Sequence, residues 1–303
     1  MRVFVTGATG HVGFHVALAF RRAGCHVLGL ARTDAGAARL DRHEIQPVLG
    51  TVQDPGTWRG AENASVLVHA ASDAKGDTWA LDRAAVEGLL ALAAKGASPK
   101  TLLYTSGVWV YGSTGDRLAD ETTPLAPLPM SLPRVETEKR VLSATGVRGL
   151  VMRPGCVYGY GGSMTAMWFA GAAAGSLDVV GDGHNRWATV HADDCANAYM
   201  RAGSSGLSGE IFNVTDRSRA PVRRLAAAAA RATGFKGPIR WVPVDEARKK
   251  MGGFADALAL DQHVDSKKAV ARLGWQPAHG GFEDEVETYY AAWKAISSAA
   301  AKA

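Results

Sequence analysis

Short apolar runs alternate with segments of helical periodicity through the first half of the chain. The runs are rich in valine and leucine, and they lie near Val3, Val27, Ile45, Val66, Leu102 and Leu150. The segments with helical periodicity are 11–23, 78–95 and 133–144. Near-continuous apolar strands separated by helices are typical of a parallel sheet covered on both faces. The pattern therefore predicts an α/β fold with a Rossmann-type, doubly wound parallel sheet.

The pattern loosens after Val157, where glycines become frequent. Strands are predicted near 211–214 and 239–244, and helices over 221–232 and 282–295. These elements predict a smaller C-terminal α/β lobe. We therefore expect a Rossmann domain over residues 1–157 and a second lobe over 158–303, with segments near 185–215 returning to the Rossmann domain.

The distribution of basic residues argues against a nucleic-acid partner. The 303 residues include 34 basic and 29 acidic side chains, a net charge of +5. The basic residues occur in scattered pairs such as Arg21-Arg22 and Lys267-Lys268, not in a block that would bind nucleic acid. A mild positive field favours anionic ligands such as phosphates, although such pairs also suit a solvated surface. We expect no nucleic-acid partner.

Cysteine usage and the apolar runs indicate the compartment. Cys25, Cys156 and Cys195 are odd in number and far apart, which indicates neither a disulfide framework nor a CxxC site. The chain begins with an apolar strand pattern and not with a signal-peptide pattern. The alanine-rich run from Met164 is too short and too interrupted by glycine to span a bilayer. We therefore expect a cytoplasmic protein without membrane attachment. No His, Asp or Cys group has metal-ligand spacing, so no metal is predicted.

A glycine-rich segment, TGATGHVG, links the first predicted strand to the first predicted helix. In such a loop the first glycine permits a tight turn, the second lets the backbone approach a pyrophosphate, and the third lets the helix pack on the sheet. The helix N-terminus adds unpaired N–H groups and the positive end of a dipole. This context predicts dinucleotide binding in preference to a purely structural turn. The residues expected at the cofactor are Gly7, Thr9, Gly10, His11, Val12 and Gly13.

The end of the second strand selects between cofactors. A site for NAD has Asp or Glu there to bind the ribose 2′-hydroxyl, whereas this chain has Ala31 and Arg32. Because arginine can bind a 2′-phosphate, NADP is favoured over NAD; the alternative is that Arg32 is only a solvated residue. Four further cofactor contacts are expected after the third and fourth strands: Thr51, Val52, Ala70 and Ala71.

Several motifs have the order and spacing of one known family. They are TGATGHVG, HAA at 69–71, VYG at 110–112, RPGCVYG at 153–159, HADD at 191–194 and DSKKAVARLGWQP at 265–277. Over nearly the whole chain they resemble the NAD(P)-dependent epimerase/dehydratase group of the extended short-chain dehydrogenases/reductases. The resemblance implies an NAD(P)-binding Rossmann domain, a lobe that binds a small-molecule substrate, and compatibility with a homodimer.

The same resemblance implies three catalytic side chains: a Ser or Thr that orients the substrate, a Tyr that acts as general acid/base, and a Lys that lowers the pKa of that Tyr and holds the nicotinamide ribose. The stretch YTSGVWVYG, read as a strand ending in a turn at 110–112, has Gly107 in the position of the hydroxyl. Ser106 is the nearest hydroxyl, and strand alternation directs it to the opposite face unless the turn changes its direction.

The predicted helix that follows also departs from the family pattern. Arg134 and Glu138 have the spacing of the family's Lys and Glu, which places Met130 in the position of the tyrosine. Methionine cannot transfer a proton. Arginine stays charged at any working pH, so it can hold a ribose or phosphate oxygen but cannot relay a proton. The chain is therefore interpreted as an atypical member that lacks the Ser/Tyr/Lys triad.

Other side chains are candidates for substrate contacts. Tyr158 ends the sixth strand and either reaches a substrate or packs between the lobes. Trp109 and Tyr111 either line the pocket or belong to the core, and Arg186 has the position of an arginine that meets a sugar-nucleotide diphosphate in the family. The candidate catalytic residues are Arg134, Ser106 and Tyr158. The candidate substrate-binding residues are Trp109, Tyr111, Met130 and Arg186, and Arg134 is also expected at the cofactor.

Three functions remain open from the sequence. The first is an NAD(P)H-dependent oxidoreductase that reduces a small organic substrate with a non-standard proton donor. The second is a non-catalytic NADP(H) sensor or scaffold, and the third is a sugar-nucleotide epimerase or dehydratase. The third is disfavoured by Gly107, Met130 and Ala31, because such enzymes need a base to oxidise the sugar and hold NAD.

Overall fold

The computed structural model describes residues 1–72, 78–95, 98–162 and 164–300. The strands are β1 (Arg2–Thr6), β2 (His26–Ala31), β3 (Gln46–Leu49), β4 (Val66–His69), β5 (Lys100–Thr105), β6 (Val147–Pro154), β7 (Cys156–Tyr158), β8 (Leu177–Val180), β9 (Thr189–His191), β10 (Glu210–Val214) and β11 (Ile239–Val242). The helices are α1 (His11–Arg22), α2 (Asp34–Asp41), α3 (Thr78–Ala94), α4 (Leu132–Leu142), α5 (Thr165–Ala173), α6 (Ala192–Ser204), α7 (Val222–Thr233), α8 (Val244–Met251), α9 (Phe254–Leu258), α10 (Lys267–Leu273) and α11 (Val286–Ala300). Within these ranges, no helix has the length and apolarity needed to cross a bilayer.

A seven-stranded sheet forms the first body of the protein, in the order β10-β6-β5-β4-β1-β2-β3. All of its neighbouring strands are parallel. One face packs on α1 and α6 through side chains such as Phe20 and Tyr199. The other face packs on α3 and α4 through Leu89 and Val141. Burial on both faces explains the near-continuous apolar runs, and the predicted doubly wound α/β fold is confirmed.

The second lobe has two small parallel sheets, β8 with β11 and β7 with β9. Its core is aromatic and includes Trp168, Phe169 and Phe282. Between the elements of this lobe, the chain returns to the large sheet, because α6 packs on α1 and β10 pairs with β6. Segments from both parts of the sequence therefore build the Rossmann body.

Two predicted elements differ most from their bounds in the structure. The stretch YTSGVWVYG is not a strand up to residues 110–112. β5 ends at Thr105, and Val108–Tyr111 forms a 3-10 turn, closed by hydrogen bonds from Val110 N to Gly107 O and from Gly112 N to Trp109 O. The last helix begins at Val286 and not at residue 282, because the ring of Phe282 is buried in the core ahead of the helix.

A buried ion pair connects the sheet to α4. Arg153 of β6 and Glu138 of α4 are each 2% exposed, and the guanidinium donates to both carboxylate oxygens, at 2.9 and 2.5 Å. A third donor atom of Arg153 lies 2.8 Å from the hydroxyl oxygen of Tyr111, which donates to Asn213 of β10 at 2.8 Å. The bidentate geometry and the additional hydrogen bonds satisfy charges that would otherwise be costly to bury.

Replacing Glu138 by alanine leaves the guanidinium of Arg153 buried without a counter-charge. We expect Glu138→Ala to lower the free energy of unfolding by about 3–5 kcal/mol, measured by urea denaturation. Glu87→Ala is the matched control. The Glu87 carboxylate pairs on the surface with Arg140, which lies on the same helix as Glu138, and such surface pairs contribute about 1 kcal/mol or less. Equal losses in the two variants would contradict the role assigned to the buried pair.

Candidate active site

The glycine-rich loop brings three segments together at the carboxyl end of the sheet. Gly7 has a φ of +72°, and a Cβ there would lie 2.5 Å from the carbonyl of Ala70. A Cβ on Gly13 would lie 2.2 Å from Gly7 O, so α1 reaches this close only with glycine at that position. α1 begins at His11, and among the described residues no side chain caps its N-terminus. Its first N–H groups therefore remain available to an anion.

A cavity of about 390 Å³, here called the loop cavity, opens beside this loop. Of the predicted cofactor residues, it is lined by Gly7, Thr9, Gly10, His11, Val12, Arg32, Val52, Ala70 and Ala71. Gly13 and Thr51 do not line it: Gly13 packs against Gly7, and the carbonyl of Thr51 accepts a hydrogen bond from Trp58 Nε1 at 2.8 Å. A glycine cradle, an uncapped helix and an arginine at the end of β2 fit a dinucleotide.

The end of β2 brings an apolar side chain and an arginine to the loop cavity. Ala31 is buried and carries no acceptor, while Arg32 lines the loop cavity. Arg39 of α2 lies nearby; it donates to Thr9 O at 3.0 Å and stacks on Phe14, with its guanidinium carbon 4.0 Å from the ring centroid. Sequence reasoning missed Arg39, since its contact with the loop arises only when α2 folds back.

A buried polar network that sequence reasoning also missed reaches the wall of the loop cavity through His69 and Asp82. His69 Nδ1 is 2.7 Å from Thr6 Oγ1, and His69 Nε2 is 3.2 Å from Asp82 Oδ1. Tyr104 donates to Asp82 Oδ2 at 2.9 Å, and Thr137 is 3.2 Å from the same oxygen. Burial alone would raise the pKa of Asp82, but hydrogen bonds with His69 and Tyr104 and the positive charge of Arg134 together lower that pKa. His69 belongs to the HAA motif, whereas nothing in the sequence marks Asp82.

A second cavity of about 320 Å³, the strand-end cavity, adjoins the first. Five residues line both: His11, Val12, Ala70, Ala71 and Ser72. Its remaining wall combines residues 105–109 and Arg134 with groups from β6 and β7 and with Met164, just ahead of α5. A Cβ on Gly107 would have Pro154 O as its nearest neighbour, at 3.8 Å, so this position leaves open space in the cavity wall.

Arg134 and Ser106 line the strand-end cavity, but their polar atoms point to different partners. Arg134 Nη1 donates to Thr105 O at 2.7 Å and to Ser106 O at 3.3 Å. Its guanidinium lies 5.2 Å from the ring centroid of Trp79. These contacts fix a permanent positive charge at the end of β5.

The hydroxyl of Ser106 does not face the cavity as a free donor. Ser106 is 4% exposed, and its Oγ donates to Glu138, the partner of Arg153. The predicted catalytic Ser106 is therefore part of the buried ion-pair network in this structure. A carboxylate acceptor inside a low-dielectric core holds the hydroxyl away from a ligand.

Four other candidates lie outside the loop and strand-end cavities. Tyr158 is fully buried and packs edge-on against Phe282 and Tyr289. The Tyr111 hydroxyl is bonded to Arg153 and Asn213. Met130 lies in the 3-10 turn Pro129–Ser131, ahead of α4. Arg186 pairs with Asp261 at 2.8 Å and with Asp116 at 3.1 Å.

Histidines that are distant in sequence meet beside the loop. The rings of His11 and His15 are in edge contact, and the rings of His191 and His279 stack with centroids 3.7 Å apart at 25°. Donor atoms of His191, Asp193 and His279 lie within 4.8 Å of one another, a grouping that sequence spacing did not indicate. Imidazole binds a metal in the plane of its ring. Two stacked rings cannot both do so for one ion, so the geometry gives no support for a metal site.

Burial and the neighbouring positive charges lower the pKa values of two of these rings to about 4. For His11 the neighbours are His15, His191 and Arg39. For His191 they are His279 and His15, with Asp193 and Asp194 acting in the opposite direction. The folded state therefore keeps both rings neutral over a pH range in which an unfolded histidine, with a pKa of about 6.5, binds a proton.

This difference predicts a pH-dependent stability. Between pH 4 and about 6.5 the unfolded chain binds more protons than the folded chain. The contribution of each ring to the free energy of unfolding is therefore complete above pH 6.5 and is lost as the pH falls towards 4, by at most about 1.4 kcal/mol per pH unit. We expect His191→Asn, which keeps a side chain able to cap α6, to reduce the slope of unfolding free energy against pH in this window. Urea denaturation at several pH values measures it, with exposed His26→Asn as control. An unchanged slope would contradict the prediction.

The chain is similar to several known proteins. A 3-diazoavenalumate denitrifying reductase from Streptomyces sp is 29% identical, over 94% of this chain and 98% of the relative. A 4-hydroxy-2-methyl-3-oxo-4-farnesyl-3,4-dihydroquinoline-1-oxide ketoreductase from Stigmatella aurantiaca is 26% identical, over 82% and 78% of the two chains. The crystal structure of dTDP-glucose 4,6-dehydratase from Streptomyces venezuelae, with NAD bound, superposes with a TM-score of 0.82 at 20% identity and covers 98% of each chain.

The family assignment extends over most of the chain. The sequence profile of the NAD dependent epimerase/dehydratase family matches residues 3–215, which span β1 to the end of β10 and include the loop and both cavity rims described above. The chain therefore belongs to the NAD dependent epimerase/dehydratase family.

Proposed function

We propose that the protein is an NADPH-dependent reductase of a small organic substrate with a carbonyl or similarly electrophilic group. The observation that carries this proposal is the junction of two cavities along one loop. The loop cavity has the features of a dinucleotide site, and the strand-end cavity shares His11, Val12, Ala70, Ala71 and Ser72 with it. A substrate in the second would lie directly beside a cofactor in the first. Two relatives named as reductases support the same reaction class.

Each group of residues has a separate task in this proposal. The nicotinamide dinucleotide supplies a hydride when bound. The glycine-rich loop and the N-terminus of α1 bind the diphosphate, and Arg32 binds the 2′-phosphate. Arg134 holds an oxygen of the cofactor or substrate by charge-assisted hydrogen bonds. Trp109, Val108 and Met164 give the strand-end cavity an apolar wall that excludes water.

The proton in this proposal comes from water or from the substrate. The Ser106 hydroxyl is bonded to Glu138, and the Tyr158 hydroxyl is enclosed in the core of the second lobe. Burial raises the pKa of Cys156, which lines the strand-end cavity, to about 12, and it lowers that of His11 to about 4. None of these four described groups offers an acid poised near neutral pH.

The sugar-nucleotide chemistry of other family members is less well supported. Arg186, the residue expected to meet a diphosphate, is neutralised by Asp261 and Asp116. Met130 has no group that can take a proton from a sugar hydroxyl. These observations favour the reductase over an epimerase or dehydratase.

Cofactor preference is tested by changing the charge at the end of β2. We expect Arg32→Ser to raise the Kd for NADPH by about 10- to 100-fold, because a hydrogen bond to a charged group is worth about 1.5–3 kcal/mol, and to leave the Kd for NADH nearly unchanged. Fluorescence titration of both nucleotides measures this. Arg42→Ser removes an exposed charge after α2 and serves as the control. Equal loss for NADPH and NADH would refute a 2′-phosphate contact.

Reductase activity is tested by NADPH oxidation with aromatic ketones, enones and quinones. We expect turnover that Ser106→Ala changes by less than about threefold, because that hydroxyl is bonded to Glu138. Arg134→Met should lower kcat/KM by about tenfold or more, since a charged hydrogen bond is lost. A loss of about 100-fold in stable Ser106→Ala would show that the hydroxyl acts on the substrate. Tight NADPH binding without any turnover would identify a sensor or scaffold instead.

A further inference from the structure

We infer that a third cavity, in the second lobe, binds an apolar tail of the same substrate whose reducible head lies in the strand-end cavity. This lobe cavity has a volume of about 230 Å³. The inference rests on the proposed reductase function for the head of the substrate and adds the class of molecule: a long amphipathic compound with a reactive group at one end and an alkyl or prenyl chain at the other.

The lining of the lobe cavity is mostly apolar. It includes Met164, Trp168, Val179, Trp187, Met251 and Leu258. The indole rings of Trp168 and Trp187 stack with centroids 5.1 Å apart and an angle of 10°, and Trp187 Nε1 donates to Leu258 O at 2.9 Å. The Nε1 group of Trp187 therefore already has a hydrogen-bond partner. The faces of the two indole rings offer apolar surface to a ligand.

The lobe cavity adjoins the proposed active site at one side chain. Met164 lies in the wall of both the strand-end cavity and the lobe cavity. Methionine is unbranched and flexible, so it adapts readily to ligands of different shape. Further along α5, Met167 also lines the lobe cavity and is 44% exposed. A chain that leaves the strand-end cavity past Met164 would remain on apolar surface as far as Met167.

Charge at the rim favours an apolar ligand over a phosphate. Two acidic and two basic residues line the cavity: Asp178, Glu246, Arg240 and Lys250. Arg240 is held by Asp178 and lies 3.7 Å from Glu246. A diphosphate would meet two carboxylates, an arginine that is already paired and one lysine, a rim without net positive charge. An alkyl chain carries no charge and needs none of these groups.

The length of the ligand's alkyl chain gives a direct measure of its contact with the lobe cavity. Each buried methylene contributes about 0.8 kcal/mol, so binding should strengthen about fourfold for each added methylene that enters the cavity. The increase should stop when the cavity is full.

Binding is tested on the full chain saturated with NADPH, using 8-bromooctan-1-ol as the probe. Its bromine should quench the fluorescence of Trp168 and Trp187, whereas 2-bromoethanol at the same concentration should not. Ala247→Phe fills the cavity from α8, where Ala247 is 4% exposed, and should weaken binding about tenfold or more. Lys249→Phe adds the same ring on an exposed position of the same helix and should have no effect.

A second variant covers the case in which Ala247→Phe does not fold. Met167→Asp places a carboxylate at the exposed mouth of the cavity without altering the core, and it should also weaken binding of 8-bromooctan-1-ol about tenfold. Absence of saturable quenching in the wild type, or equal quenching in all variants, would overturn the inference. Displacement of the probe by micromolar UDP-glucose would also overturn it, because the cavity would then accept a sugar nucleotide.

Turnover measurements distinguish a failure of the tail site from a failure of the proposed reductase function. With 1-phenylalkan-1-ones of increasing chain length and NADPH, kcat/KM should rise with length in the wild type and in Lys249→Phe but stay flat in Ala247→Phe. Turnover without chain-length dependence would overturn the tail site and leave the reductase standing. The reductase proposal would be overturned if neither this series nor the other electrophiles were turned over. In that case, quenching by 8-bromooctan-1-ol would still decide whether the lobe cavity binds an apolar chain.

Discussion

The ion pair between Arg153 and Glu138 is the interaction on which the rest of the site depends. Both groups are almost completely excluded from water, so each charge is tolerable only while the other is in place. The pair fixes α4 against β6, and through Tyr111 and Asn213 it reaches the turn after β5 and the edge strand β10. α4 in turn carries Arg134 to the end of β5.

The same network determines which polar atoms remain for chemistry. It uses the hydroxyls of Ser106 and Tyr111, two of those in YTSGVWVYG. The described lining of the strand-end cavity includes a fixed positive charge at Arg134, open space at Gly107 and apolar surface at Trp109. In the proposed function this site positions an electrophile and excludes water, and the proton comes from water or the substrate. The hydroxyl of Ser106 then has a structural part in the ion-pair network.

The second lobe contributes apolar surface to the proposed active site more than it contributes charge. Its arginines and acids are largely paired with one another, as for Arg186 with Asp261 and Arg240 with Asp178, while its core and its cavity are lined by tryptophan, methionine and aliphatic side chains. Since the proposed active site lies where this lobe meets the carboxyl edge of the sheet, substrate choice in the proposal is governed by apolar complementarity.

The doubly wound sheet and the glycine-rich loop could be predicted from the sequence, because both follow from local rules: burial on two faces makes apolar runs continuous, and close backbone approach at Gly7 and Gly13 excludes a Cβ. Ala31 and Arg32 could be identified in the same way, since position after a strand is a local property. Four contacts became visible only in the folded protein: Ser106 donates to Glu138, Tyr158 packs in the second core, Arg39 reaches the loop, and Met164 lies in the wall of two cavities. Each of these contacts joins residues far apart in the chain, and their partners are selected by packing and by the need to satisfy buried polar groups, which no local pattern records.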